Sequence, residues 1–181
     1  MKYLFLFLVL FVSNISICQT TYYMTNDDFK YVDSIKKTYN KDIVEKEFIR
    51  LLNEYRKENG LDTLKVSKIA TDAAKYQSEY CFKNYNLTHE TPYAGYKTIT
   101  DRLSTFGLID CLSKSKGECG MILSSLGLCI NRVGYAQGIL DGWIKSPGHN
   151  RILLDNKIKN IGIYISKGEK GPLYCILVVH E

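Results

Sequence analysis

The chain has 181 residues, 45% of them hydrophobic and 24% charged, and carries a net charge of +5. That hydrophobic share belongs to a globular domain and excludes a disordered or low-complexity chain, while the length suits one domain with a sizeable core. The lysines are scattered rather than run together, so the clustered basic stripe of a nucleic-acid-binding protein is missing.

Residues 1–18 read as a secretory signal peptide: Lys2, an apolar run from Tyr3 to Val12, then small and polar residues up to Cys18. The run is shorter than the roughly 20 apolar residues that a membrane-spanning helix needs, and no later stretch is longer, so no transmembrane span is expected. Cleavage near Cys18-Gln19 predicts a secreted, extracellular protein. A lipid anchor on Cys18 is the second reading, disfavoured because Ile17 is bulky where such signals want a small residue. The mature chain then holds 163 residues, with 23 Lys and Arg against 19 Asp and Glu. It keeps five cysteines, Cys81, Cys111, Cys119, Cys129 and Cys175. An oxidising compartment predicts disulfides, and an odd count leaves one thiol over. Cys111, Cys119 and Cys129 are candidates for one bridge, whereas Cys81 and Cys175 read as buried, inert thiols. With no Cys-x-x-Cys spacing, a zinc ribbon has no support.

Residues 19–41 form a polar arm rich in tyrosine (Tyr22, Tyr23, Tyr31, Tyr39), and residues 42–181 form the domain. A helix is predicted from Asp42, capped by its carboxylate with Glu45 completing a capping box. Val44, Phe48, Leu51, Leu52 and Tyr55 fall on one face of it, and Asn59-Gly60 ends it. Residues 64–66 read as extended. Ser67 caps a second helix with Ile69, Ala70, Ala73, Tyr76, Tyr80 and Cys81 inward, and a loop follows with His89 and Pro92. Thr98 precedes a short third helix that stops at Gly107. Residues 107–134 give no clear period around Met121, Ile122 and Leu123. Val133, Ala136, Leu140 and Trp143 mark a fourth helix, closed by Pro147-Gly148. Two β segments, 161–165 and 173–179, end the chain, joined by a 167–171 segment of hairpin composition. Helices first and strands last predict α+β with an antiparallel sheet under helices.

Chemistry has few candidates, because the chain holds three histidines. His89 and His149 sit in loops bounded by turn residues, and the penultimate His180 reads as a solvated tail. Glu118 lies between Gly117 and Gly120, in a stretch free to bend. Two imidazoles and a carboxylate suit a divalent transition metal, zinc above all, with a position left for water. Spacing alone does not bring them together, since 29 and 31 residues separate them. His89-Glu90 is not a metalloprotease helix, because position 93 is Tyr and Pro92 would break the helix. Ser146 stands in a helix-stop signal rather than a nucleophile elbow. Asn86-Leu-Thr88 is a glycosylation sequon in a eukaryotic secretory pathway.

In order along the chain, these segments resemble the CAP superfamily, or SCP domain, of cysteine-rich secretory, antigen 5 and pathogenesis-related 1 proteins, in its short bacterial form. The resemblance runs from about Phe48 to Val179. It rests on Leu52-Asn-Glu-Tyr-Arg-Lys-Glu-Asn-Gly-Leu61 with Leu64-Lys-Val66, Thr88-His89, Asp101-Arg-Leu103, Gly117-Glu118, Asp141-Gly-Trp-Ile-Lys-Ser-Pro-Gly-His149 and Ile161-Gly-Ile-Tyr-Ile165. It implies a three-layer α-β-α sandwich with a central antiparallel sheet, and a cleft holding two His and two Glu in longer members. His89, Glu118 and His149 match three of those four; Ser146 stands where the second Glu would be, and Cys119 replaces the Asn of a Gly-Glu-Asn motif. The function implied is a secreted, non-enzymatic binding module for a lipid, a sterol or another extracellular partner, with a cleft that accepts a divalent metal such as zinc. The alternative is a metal-dependent, peptidase-like hydrolase with Glu118 as third ligand or general base. A third reading is a structural or adhesive surface protein using the Tyr-rich arm.

Overall fold

The computed structural model describes Asn26, Asp27, Lys30 and residues 39–123, 134–166 and 173–181. Residues 1–18, most of the Tyr-rich arm, Cys129, Val133 and residues 167–171, expected as a hairpin connection, lie outside the described residues. In chain order the domain consists of α1 (Lys41–Glu58), β1 (Lys65–Val66), α2 (Lys68–Asn84), α3 (Ile99–Thr105), β2 (Lys116–Leu123), α4 (Tyr135–Ile144), α5 (Pro147–Leu153), β3 (Asn160–Ser166) and β4 (Leu173–His180).

Local chemistry sets most of the boundaries. Ser67 caps α2 by accepting from the Ala70 amide, and Thr98 with Asp101 closes a capping box on α3. The start of α1 differs from the expectation. Asn40 is the cap, accepting from the amides of Asp42 and Ile43, and Asp42 is already inside the helix. Glu45 does not reach back; its Oε1 accepts from the Ile165 amide of β3 at 2.9 Å. Packing against the sheet edge thus overrides a local capping pattern. The fourth helix closes at Ile144, just before Pro147-Gly148 as expected, but the same pair also begins a further helix. Proline at the first turn lacks only an amide that would be orphaned there, so α5 starts at Pro147 and carries His149. The stretch without a clear period contains β2. His180 is no solvated tail: it is the last residue of β4, 5% exposed, with Nε2 at 3.1 Å from Ser67 Oγ.

The sheet order is β1-β3-β4-β2. β4 lies antiparallel to both β3 and β2, and the two-residue β1 joins β3 in parallel at the edge. All eight residues of β4 are buried. Leu173, Cys175, Leu177 and Val179 face a core shared with Phe48 and Leu52 of α1, Trp143 of α4 and Leu153 of α5. Tyr174, Ile176 and Val178 face a second core with Ala70, Ala73, Ala74 and Cys81 of α2 and Leu103 of α3. The period of two in a strand therefore serves two helical layers at once, and the architecture is the expected α+β, three-layer α-β-α sandwich.

Two contacts hold the layers at close quarters. A Cβ added to Gly162 of β3 would lie 2.1 Å from the Thr71 nitrogen and 2.2 Å from the Ala70 carbonyl carbon, so α2 rests directly on the strand backbone. Ser78 of α2 inserts its hydroxyl where β3 and β4 separate, donating to the Tyr174 carbonyl at 2.7 Å and accepting from the Ser166 amide at 2.9 Å. On the other side, the buried Arg56 donates to the carbonyls of Asp62, Leu153 and Asp155, tying the end of α1 to the exit of α5.

Cys81, Cys111, Cys119 and Cys175 are free and buried, so the expected bridge does not join Cys111 to Cys119. These two project into different layers, Cys119 into the first core and Cys111 into the second. Burial pushes the thiols of Cys81, Cys119 and Cys175 above the usual cysteine range, which keeps them from the reactive thiolate form.

Gly162→Ala is expected to cost about 3 kcal/mol or more by forcing helix from sheet, measured by urea denaturation. Gly148→Ala, where a Cβ meets nothing within 4 Å, is expected to be neutral or slightly stabilising. Iodoacetamide at neutral pH is expected to leave Cys81, Cys119 and Cys175 unmodified in the native protein and to label all three in 6 M guanidinium, as read by peptide mass spectrometry.

Candidate functional site

The site forms along the outer edge of β2, which among the described residues pairs only with β4. Alternation along that strand points Cys119 toward the α1/α4/α5 layer and Glu118 toward α3, where it meets Arg102. Side chains from both helical layers can therefore meet around one strand edge.

Glu118 is the centre of the arrangement. Its side chain is 4% exposed, and both carboxylate oxygens are engaged. Oε1 accepts from His89 Nδ1 at 2.8 Å, and Oε2 accepts from Arg102 Nη2 at 2.5 Å. The Arg102 side chain is wholly buried. Its Nη1 also donates to the Tyr96 carbonyl and its Nη2 to the His89 carbonyl, at 3.1 and 3.3 Å. One guanidinium thus fastens the loop that carries His89 to the strand that carries Glu118. Thr91 closes the same loop, its amide donating to the Lys97 carbonyl and its hydroxyl to the Tyr96 carbonyl. The capping box at Thr98 starts α3 in the right place for Arg102 to reach inward.

Gly120 has a positional reason here. A Cβ on it would sit 3.1 Å from Leu87 Cδ1 and 3.3 Å from Ile176 Cδ1, so the missing side chain makes room for these two, while the His89 ring would be in ordinary contact with it at 3.5 Å. Glu118 and Gly120 lie in a regular strand, not in the bend expected from the flanking glycines; Gly117 instead admits Ile152 of α5, which a Cβ would meet at 2.5 Å.

His149 comes from the opposite layer and from a helix rather than a loop. Its ring lies 6.3 Å from that of Trp143, whose indole nitrogen donates to the Gly120 carbonyl at 3.4 Å across the strand edge. Asn150, the next residue, accepts from Tyr55 of α1 at 3.0 Å and steadies the turn. The two histidines are electrostatically unlike. The hydrogen bond to Glu118 holds His89 above the ordinary histidine value, against the opposing effect of burial. Burial first, and then the charge on His89, hold His149 below it.

The structure therefore brings His89 and Glu118 into contact and sets His149 within electrostatic reach, without a hydrogen bond to either. These residues do not make a metal centre as they stand. Among the described residues no three His, Cys, Asp or Glu side chains are grouped to hold a metal ion, and the carboxylate that would be the third ligand is taken up by Arg102 and His89. Arg102 is the residue that motif reading passed over; the segment Asp101-Arg-Leu103 read only as a helix, and the burial of the arginine shows only once α3 is packed against β2. Ser146 is the residue before α5 and makes no side-chain cap bond. Asn86 of the sequon is exposed beyond the end of α2.

A profile of the cysteine-rich secretory protein family, CAP, matches residues 49–179. No curated protein sequence matches the chain. Among solved structures the fold is similar to an outer surface protein from Borrelia burgdorferi, with a TM-score of 0.65 and 17% identity over 79% of this chain and 96% of that one. An extracellular protein containing an SCP domain from Bacillus anthracis gives 0.60 and 20% over 89% and 45%. A cysteine-rich secretory protein from Staphylococcus aureus gives 0.53 and 17% over 78% and 39%, so the chain spans less than half of the last two proteins. Among the described residues no helix is long and apolar enough to cross a membrane.

Ring-proton titration by NMR is expected to give His89 a midpoint above His149, and Glu118→Gln is expected to lower the His89 midpoint. Equal midpoints would contradict the geometry. Because the folded His89 value lies above the unfolded one, the pair contributes its full stability below about pH 6.5 and loses that contribution as pH rises through the folded value. The stability difference between wild type and His89→Gln should shrink accordingly between about pH 6 and 9.

Proposed function

The chain belongs to the CAP family of cysteine-rich secretory proteins, and from that membership we propose that it is an exported, non-enzymatic binding module whose ligand occupies the cleft between His89, Glu118 and His149. The observation that carries this reading is the double engagement of Glu118. A general base needs a free oxygen within reach of the proton it takes, and here Arg102 holds one oxygen and His89 the other. A hydrolase built on the same cleft would need the carboxylate released from a wholly buried guanidinium. Removing one partner from a buried ion pair costs about 3–5 kcal/mol, so the resting arrangement opposes that chemistry. What remains is an exposed imidazole, fixed from behind and paired with a second imidazole across the strand edge, which is the equipment of recognition.

Export rests on the signal-like segment 1–18, and its removal leaves the arm 19–41 and the domain 42–181. Relatives in fold described as extracellular or outer-surface proteins support the same placement. A lipid or another extracellular partner suits an exported binding module better than a turnover substrate does. The cleft's two imidazoles would by themselves give a divalent ion only two ligands, fewer than a structural or catalytic zinc site commonly has.

The test uses protein recovered from the culture medium of an expressing host. N-terminal sequencing is expected to start near Gln19. Mass spectrometry of organic extracts is expected to find a carried lipid in wild type and little of it in His89→Ala and His149→Ala. Chelator-sensitive cleavage of a peptide library that disappears in Glu118→Gln would reverse the reading in favour of the hydrolase.

A further inference from the structure

We propose that Ser67 and His180 form an acyl-accepting dyad: the serine hydroxyl attacks a carboxylic ester, and the imidazole takes its proton. Neither residue belongs to the His89, Glu118 and His149 cleft. The proposal therefore goes beyond the reading above, whose non-enzymatic character concerns the cleft alone.

Ser67 stands where β1 passes into α2. Its amide donates to the Ile161 carbonyl of β3 at 2.8 Å, so the sheet fixes the serine on one side while it opens the helix on the other. His180 arrives from the end of β4. The strand register places it in one row with Lys65 of β1, Asn160 of β3 and Lys116 of β2. Tyr174, Ile176 and Val178 of the same strand face the α2 layer, and the period of two turns His180 the same way. The apolar face of β4 thus ends in a polar residue, and Ser67 meets it there.

The proton positions follow from what each atom can donate or accept. His180 Nδ1 lies 2.6 Å from the main-chain oxygen of Glu181, which only accepts, so in the neutral ring Nδ1 carries the proton. Nε2 is then the bare nitrogen, and it accepts from Ser67 Oγ at 3.1 Å. The bond from the Ala70 amide to Oγ, at 3.3 Å, leaves the hydroxyl proton free for this use. A serine aimed at a base whose tautomer is set by a third group is the arrangement of an activated hydroxyl. Glu181 acts as a positioning residue, itself tied to Ser115 through its amide and its side chain.

The surroundings favour negative charge on oxygen. The amides of Lys68 and Ile69 precede the first intrahelical bonds of α2 and sit at the positive end of a 17-residue helix. Lys68 directly follows the serine, the position that supplies an oxyanion donor at other strand-to-helix nucleophiles. His180 is 5% exposed, whereas Ser67 is half-buried and keeps part of its surface in solvent. Among the described residues no side-chain carboxylate lies on the imidazole, so the imidazolium is less supported than in a triad. That confines the dyad to esters, whose alcohol leaves with less help than an amine.

In the step itself Oγ bonds to the acyl carbon, and the Oγ proton passes to Nε2. The bond to the alcohol oxygen then breaks, and Nε2 returns the proton to it. Water next attacks the acyl-serine with Nε2 as base, so ester and water become acid and alcohol.

Full-length protein is treated with diisopropyl fluorophosphate, which loses fluoride to an activated serine, and the adduct is located by peptide mass spectrometry. One adduct per chain is expected, on Ser67, and p-nitrophenyl acetate should leave its acetyl group on the same residue. Ser67→Asn keeps an oxygen for the Ala70 amide and a donor for His180, so it should fold and yet take no adduct. His180→Gln should slow the labelling by about a hundredfold or more. No adduct on Ser67 of the folded wild type, or an unchanged rate in folded His180→Gln, would overturn the proposal. If His180→Gln does not fold, the comparison of wild type with Ser67→Asn decides.

Discussion

The fold is governed by the burial of β4 on both faces. A strand with eight buried residues in succession needs a layer of helices on each side, and its flanking strands must give it a hydrogen-bonded partner along each edge. β3 and β2 supply those partners, and the short β1 extends the sheet only on the β3 side. Among the described residues β2 is thereby the last strand on the β4 side, next to both helical layers. That placement is what allows His89, from the connection between α2 and α3, to approach the same edge as His149, from α5. The grouping is a by-product of the sandwich: where two layers meet at the last strand of a sheet, side chains that are remote in sequence become neighbours.

The electrostatics around Glu118 follow from one asymmetry between those layers. Glu118 projects into the α2/α3 layer, where Arg102 waits, and His149 projects from the layer on the other side, against Trp143. One imidazole therefore leans on an acid and is drawn toward its charged form. The other sits against an indole and is driven toward its neutral form. The same pair of residue types acquires two characters from the two sides of one strand. The carboxylate between the layers is fastened by a cation that the chain carries in its own core, so its chemistry is settled by folding and not by what arrives later.

The sequence was legible where structure is decided locally or by strict periodicity. Ser67 and Thr98 cap the helices expected of them, the Val44, Phe48, Leu52 stripe is buried, and the two closing strands lie where their apolar runs placed them. Legibility failed where tertiary contact overrode local preference. Glu45 suits a capping box but is drawn to the Ile165 amide, and Asn40 takes over the cap. Pro147-Gly148 has stop and start chemistry at once, and the start shows only in the packing of α5 against α4 and β2. β2 hides its strand character because Lys116 and Glu118 are charged, Cys119 faces a core, and Gly117 and Gly120 lack side chains so as to admit neighbours. For the candidate site, motif order singled out His89, Glu118 and His149, of which the structure brings His89 and Glu118 into contact, whereas Arg102 escaped because its contact with Glu118 appears only when α3 is laid against β2.

The free thiols of the interior have a consequence for biosynthesis rather than for the finished molecule. The native core shields them by burial and by their reluctance to ionise, but an emerging chain has neither protection. In an oxidising compartment each thiol that lingers in solvent is open to capture by another, and capture between the two cores would join residues that the sandwich keeps in separate layers. Cys111 and Cys119, near one another in the chain and destined for opposite faces of the sheet, are the pair most readily trapped. In such a compartment the chain would have to close its two cores faster than its surroundings oxidise it, and yield would be a race between collapse and cross-linking, won by speed rather than by equilibrium stability.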